Sequence, residues 1–254
     1  MWNQTSPAPH NNQARPQAFG AEDIARSIAA RIVSGTGDMQ LVDYSSGFQR
    51  VIPVAGHCLD EQDRWLISCS RHDFDHFLPT QVRLDVTMYA PHFQLVATAA
   101  SAHALGFVEW VDTDGPWLTG IVDVSKLHVH YFSGVCSFDF SQLADQSRHL
   151  PAMATDRLGA YDVASSLSQS DLARIVHAVE TGVAPGTVLA PQYQPVCEHL
   201  RHRVFVIDIC EVGIMMLKTT ESSRIPVSAT FPTVARTLTD LSNLLMDLVN
   251  LTSE

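Results

Sequence analysis

Val82-Arg83-Leu84-Asp85-Val86-Thr87-Met88 alternates apolar and polar residues without a slip, the period of a strand with one face in a core and the other in water. Upstream, Met39–Tyr44 and Phe48–Ala55 are extended runs joined by Ser45-Ser46-Gly47, which reads as a hairpin. The polar turn Asp60-Glu61-Gln62-Asp63 leads into Arg64–Ser70, where Trp65, Ile67 and Cys69 alternate with Leu66 and Ser68. Both faces of that strand are fairly apolar, as where a sheet closes on itself. Downstream, a long β segment runs from Phe93 to Val111 with an interruption at Gly106. Leu127–Phe132, Ser133-Gly134 and Val135–Phe140 then make another hairpin. Roughly seven strands with short polar turns favour a barrel over a sandwich.

The flanks have a different period. Ile24, Ile28 and Ile32 recur every four residues beside Ala25, Ala29 and Val33, after Glu22 and Asp23 and before Gly35 and Gly37. That is an amphipathic helix capping the barrel. Residues 1–19, rich in Pro, Asn and Gln, read as a disordered tail. The barrel domain spans 20–147. Residues 141–167 are mostly polar and irregular, with a linker at 148–167, and a small α+β domain follows at 168–254. In it, Ser170-Asp171 caps a helix through Glu180, with Leu172, Val176 and Val179 on one face and Gly182 as the stop. Three short strands (Arg203–Ile209, Gly213–Thr219, Arg224–Thr230) precede a final helix whose apolar face carries Leu238, Leu241, Leu245 and Leu248.

The chain has 254 residues, 46% hydrophobic and 17% charged, which suits one large domain or two modest ones with a rather uncharged surface. With 16 Lys and Arg, unclustered, and a net charge of −11, nucleic acid and anionic lipid are poor partners. The longest stretch free of charged residues, Val86–Val108, is broken by Pro91, His92, Gln94, Ser101 and His103, so no membrane span is expected. The N-terminus lacks the pattern of a secretory signal. Five scattered cysteines without a Cys-x-x-Cys pair suit a reducing compartment, and a cytoplasmic location is expected.

Several segments resemble a known family in order as well as in kind. Leu41-Val42-Asp43-Tyr44, Gly47, Val51-Ile52-Pro53-Val54 and Asp63-Arg64-Trp65-Leu66-Ile67 resemble the opening of pyridoxamine-phosphate-oxidase-like, FMN-binding split barrels. Leu105–Asp112, with Gly106, is similar to a later barrel strand of that family. Val206-Ile207-Asp208, Gly213-Ile214, Arg224-Ile225-Pro226-Val227, Phe231-Pro232 and the Leu241–Leu248 helix resemble the small domain behind the barrel in heme-utilisation proteins. The resemblance implies an α+β fold, an antiparallel split β-barrel with flanking helices followed by a small α+β domain. It also implies a homodimer and a bound heme, other tetrapyrrole or small ligand. Plant relatives of this layout bind a tetrapyrrole-synthesis enzyme, so a catalytically silent module with a protein partner is the second implication, and an FMN-dependent oxidoreductase the third.

The residues qualify these implications. Where the family holds the FMN phosphate, this chain has Ser70-Arg71-His72-Asp73-Phe74-Asp75-His76, and two aspartates repel a phosphate, which argues against FMN. His177 fills the first of two histidine positions in the second-domain helix, while Gly182 sits near the other. An iron ligand must be a neutral imidazole or a thiolate with access to the cleft; His177, at the family's motif position, and His72 and His76, by their local chemistry, are the heme-ligand candidates. His72 and His76 have helical ligand spacing, but no third ligand follows them, and the segment reads as a solvated turn. His128 and His130 share one face of a strand without the Glu of a cupin site and read as a packed pair, so no metal site is expected. Cys197 to Arg203 has phosphatase spacing but lacks the loop glycines that wrap a phosphate. No nucleophile elbow, dinucleotide loop or Walker sequence occurs, and a catalytic residue is not identified.

Overall fold

The computed structural model describes residues 19–44, 49–74, 80–91, 95–112 and 115–251. The chain opens with helix α1 (Ala21–Val33) and eight strands: β1 (Asp38–Asp43), β2 (Arg50–Leu59), β3 (Trp65–Ser70), β4 (Thr80–Tyr89), β5 (Thr98–Asp112), β6 (Trp117–Val124), β7 (Lys126–Tyr131) and β8 (Gly134–Asp139). All pairings are antiparallel, in the order β4-β1-β2-β3-β6-β5, and β4 pairs with β5 to close a six-stranded barrel. The apolar positions of β4 point inward as the alternation predicts, with Val82, Leu84, Val86 and Met88 buried.

β5 makes the barrel split. One edge pairs with β4 from Thr98 to Val108; the other pairs with β7 at Ala100–His103 and with β6 from Gly106 onward. Gly106 is therefore a change of partner rather than a break. A Cβ there would meet the Asp123 carbonyl oxygen at 2.5 Å. Strand β6, not among the expected strands, lies between β3 and β5, with Leu118, Gly120, Val122 and Val124 facing inward on alternate positions.

Residues 141–167, read from their polarity as irregular, are largely helical: α2 (Phe140–Arg148), α3 (Ala152–Thr155) and α4 (Arg157–Ser165). They are short helices that bury few residues each, Leu143, Ala144, Met153, Ala154, Ala160 and Ala164 among them. α5 (Gln169–Glu180) is capped two residues before the anticipated Ser170. Its cap is Ser168, whose Oγ accepts from the Asp171 amide at 3.2 Å while the Asp171 carboxylate accepts from the Ser168 amide at 3.0 Å. Of the tail at 1–19, residues 1–18 lie outside the described residues, and Phe19 packs on the core.

The second sheet comprises β9 (Gly186–Val188), β10 (Gln192–Tyr193), β11 (Val204–Cys210), β12 (Gly213–Thr219) and β13 (Ser223–Thr230), ordered β10-β13-β12-β11 with β9 on β13. Helix α6 (Leu238–Asn250) follows, capped by Thr237. Phe205, Ile207, Met215 and Leu217 join the barrel core, whereas Val206, Ile209, Ile214 and Met216 join the core under α4, α5 and α6. β11 is buried at every position because both of its faces are covered. No helix among the described residues is long and apolar enough to cross a membrane.

Candidate functional site

Helix α1 lies between the barrel and the second sheet, and nine of its thirteen residues are buried, more than an amphipathic stripe requires. Ser27 and Arg31, one turn apart, face β11. Arg31 Nη1 and Nη2 donate to the two Asp208 carboxylate oxygens at 3.0 and 2.5 Å, and Ser27 Oγ donates to Glu211 at 2.7 Å. A β-bulge makes this possible. The register of β11 against β12 slips between Val206 and Asp208, so Ile207 and Asp208 turn to the same side and the strand resumes its alternation at Ile209. Burial alone would lower the Arg31 pKa; the charge and hydrogen bonds of Asp208 more than reverse this and hold it above its ordinary value.

Beside this pair, the start of α4 meets the ends of β1 and β4. Gly37, Asp38, Thr87, Tyr89, Arg157 and Leu158 line a cleft of about 430 Å³, with Ala90 and Pro91 at its side. Gly37 holds φ +99°, and a Cβ there would strike Val86 and the Thr87 carbonyl. Its absence lets β1 and β4 run close together at the cleft edge. Arg157 is half-buried and makes no ion pair with any described residue. Burial pushes its pKa below the ordinary value, Asp208 opposes that, and Arg31 adds to it. The cleft thus offers a guanidinium at a helix N-terminus, a phenol on the 49% exposed Tyr89 and the bare side chain of Leu158, with one carboxylate from Asp38.

The histidines singled out in the sequence lie elsewhere. His72 is exposed in the 3-10 turn Arg71–Asp73 at the end of β3. His76, with Asp75, lies outside the described residues. His177 is exposed on α5 and shares a surface groove with Glu180, His202 and Lys218, where Lys218 Nζ pairs with Glu180 at 2.5 Å. Neither His72 nor His177 lines the cleft at α4. Tyr89 and Arg157, which do, carry no motif; only the approach of α4 to the end of β4 brings them together. His128 and His130 lie side by side on the outer face of β7, with His103 of β5 against them.

The chain matches no family model and no curated protein. Among solved structures, a heme binding protein from Mycobacterium smegmatis aligns over 90% of this chain and 98% of its own, at 10% identity and a TM-score of 0.45. A protein of unknown function from Agrobacterium tumefaciens aligns over 93% and 99%, at 11% identity and a TM-score of 0.34. At TM-scores below 0.5 these likenesses are loose, and the barrel is defined by its own strand pairing.

Proposed function

We propose that this protein is a split-barrel binding protein of the heme-utilisation type, which takes a tetrapyrrole or a similarly flat, carboxylate-bearing ligand in the cleft between β4 and α4. The observation that carries this reading is Arg157, a partly desolvated guanidinium without an ion-pair partner among the described residues, set beside exposed aromatic and aliphatic surface. A ligand with an apolar ring and a peripheral carboxylate satisfies both halves of such a cleft. Tyr89 supplies a phenol oxygen, one of the side-chain types that ligate heme iron. His177, His72 and His76 are the imidazole candidates for hemin held at another site, since neither His72 nor His177 lines this cleft.

Hemin titration of the purified chain tests the reading. Binding is expected to shift the Soret band, and Arg157→Ala to weaken it by roughly tenfold, the value of one charge-assisted hydrogen bond. Tyr89→Phe and the three histidine-to-alanine variants separate a phenolate ligand from an imidazole. Hemin binding no tighter than to an unrelated acidic protein, or unchanged in Arg157→Ala, overturns the assignment to this cleft. A yellow preparation with bound FMN would favour the oxidoreductase reading instead.

A second reading is a homodimeric module that binds a protein partner. It is favoured by apolar side chains left on the barrel exterior, among them Leu105, Phe107, Val111 and Trp117.

A further inference from the structure

We infer that His103, His128 and His130 form a binding site for a divalent cation of zinc type on the outer face of the barrel. The register of β5 against β7 places His103 directly opposite His128 and Ser101 opposite His130. Residues two apart on a strand share a face, so all three imidazoles stand on one patch of sheet. His103 stacks on His128 with ring centroids 5.0 Å apart and lies 5.1 Å from His130. All three are at least partly open to solvent, so a cation can reach them.

The closest pair already has the spacing of two ligands on one ion. His130 Nε2 and His103 Nδ1 are 3.2 Å apart and share a hydrogen bond. Two nitrogens held ~2.0–2.1 Å from a tetrahedral zinc ion are ~3.3–3.4 Å apart. A cation therefore takes the place of this hydrogen bond with little backbone movement, the donor's proton passing through solvent to its other ring nitrogen so that both imidazoles stay neutral. His128 needs more. Its ring stacks on that of His103, 19° from parallel. As placed, no group of three such side chains among the described residues could hold a metal ion, so the site requires His128 to turn. Rotation about the imidazole's broad outer torsion brings in the third ligand. Three neutral imidazoles leave a fourth position for water, the donor set of an open zinc site. Asp85, opposite His103 on β4, places a carboxylate beside the cluster, with Arg83 donating to its Oδ2 at 2.8 and 3.0 Å.

The pair His128 and His130 is visible in the sequence, but the residue that completes it lies 25 positions before His128 on another strand. Only the β5–β7 register shows it.

The test is zinc titration of the full chain, without a histidine tag, against a chromophoric chelator at neutral pH. Binding of about one equivalent is expected, with His103→Ala, His128→Ala and His130→Ala each weakening it by roughly tenfold or more. Cobalt in place of zinc should give the intense visible bands of a four-coordinate site in the parent and lose them in the variants. His72→Ala and His177→Ala should bind as the parent does, and circular dichroism confirms that each variant folds. No binding overturns the site. Binding unchanged in His128→Ala overturns the three-ligand assignment, and loss in His72→Ala or His177→Ala instead places the metal elsewhere.

Discussion

Arg31 and Asp208 meet with both side chains out of water, at 1% and 4% exposure, and the Arg31 Nε finds no hydrogen-bond partner among the described residues. A buried ion pair stabilises a fold little against an apolar pair of similar volume, yet removing one member strands the other charge. Asp208→Asn is therefore expected to cost ~3–5 kcal/mol. Arg31→Met combined with Asp208→Leu should recover most of it, with urea unfolding of the single and double variants as the measurement. A single variant that loses less than ~1 kcal/mol would show that the pair does not hold α1 to β11. In the sequence Arg31 is one basic residue at a helix end, where a cation suits the dipole. Its partner is 177 residues away, beyond any local pattern.

Strand β5 changes partners at Gly106, and the element depends on the missing side chain. A Cβ would lie 2.5 Å from the Asp123 oxygen and 2.6 Å from a Val124 methyl, and the carbonyl belongs to the paired backbone of β6. Gly106→Ala should destabilise by ~1–3 kcal/mol, the usual cost of overpacking. Gly56→Ala, on β2 with nothing within 4 Å of the added carbon, should stay within ~0.5 kcal/mol of the parent. Thermal unfolding of the two variants makes the comparison, and equal losses would show that crowding at Gly106 is not the reason for its glycine. The sequence marks Gly106 as an interruption. That it is a handover from β7 to β6 requires knowing which strands flank β5.

The whole molecule leaves much of its barrel exterior apolar, with Leu105 62% and Trp117 52% exposed. Exposed apolar side chains on the barrel are covered most economically by a second copy. Light scattering at micromolar concentration is expected to give the mass of a dimer, with an interface above ~1,000 Å² in total. Phe107→Asp should shift it toward the monomer by placing a charge within the apolar face. A parent chain that is monomeric under these conditions removes the dimer.

Much of this architecture is legible locally. The alternation of Val82–Met88, the four-residue repeat of Ile24, Ile28 and Ile32, and the leucine face of α6 each reflect burial on one side of a single element, which needs no knowledge of its neighbours. The sequence alone thus settled the α+β class, the barrel and the helix in front of it. The tertiary structure decided what depends on neighbours: β6 within the closed barrel, the burial of β11 on both faces, and the bulge that turns Asp208 toward Arg31. It also brings Tyr89 to Arg157 and sets His103 opposite His128. A period of two or of 3.6 tells which way a side chain points, whereas strand order and register follow from contacts between residues far apart in the chain, and both candidate sites are made of such contacts.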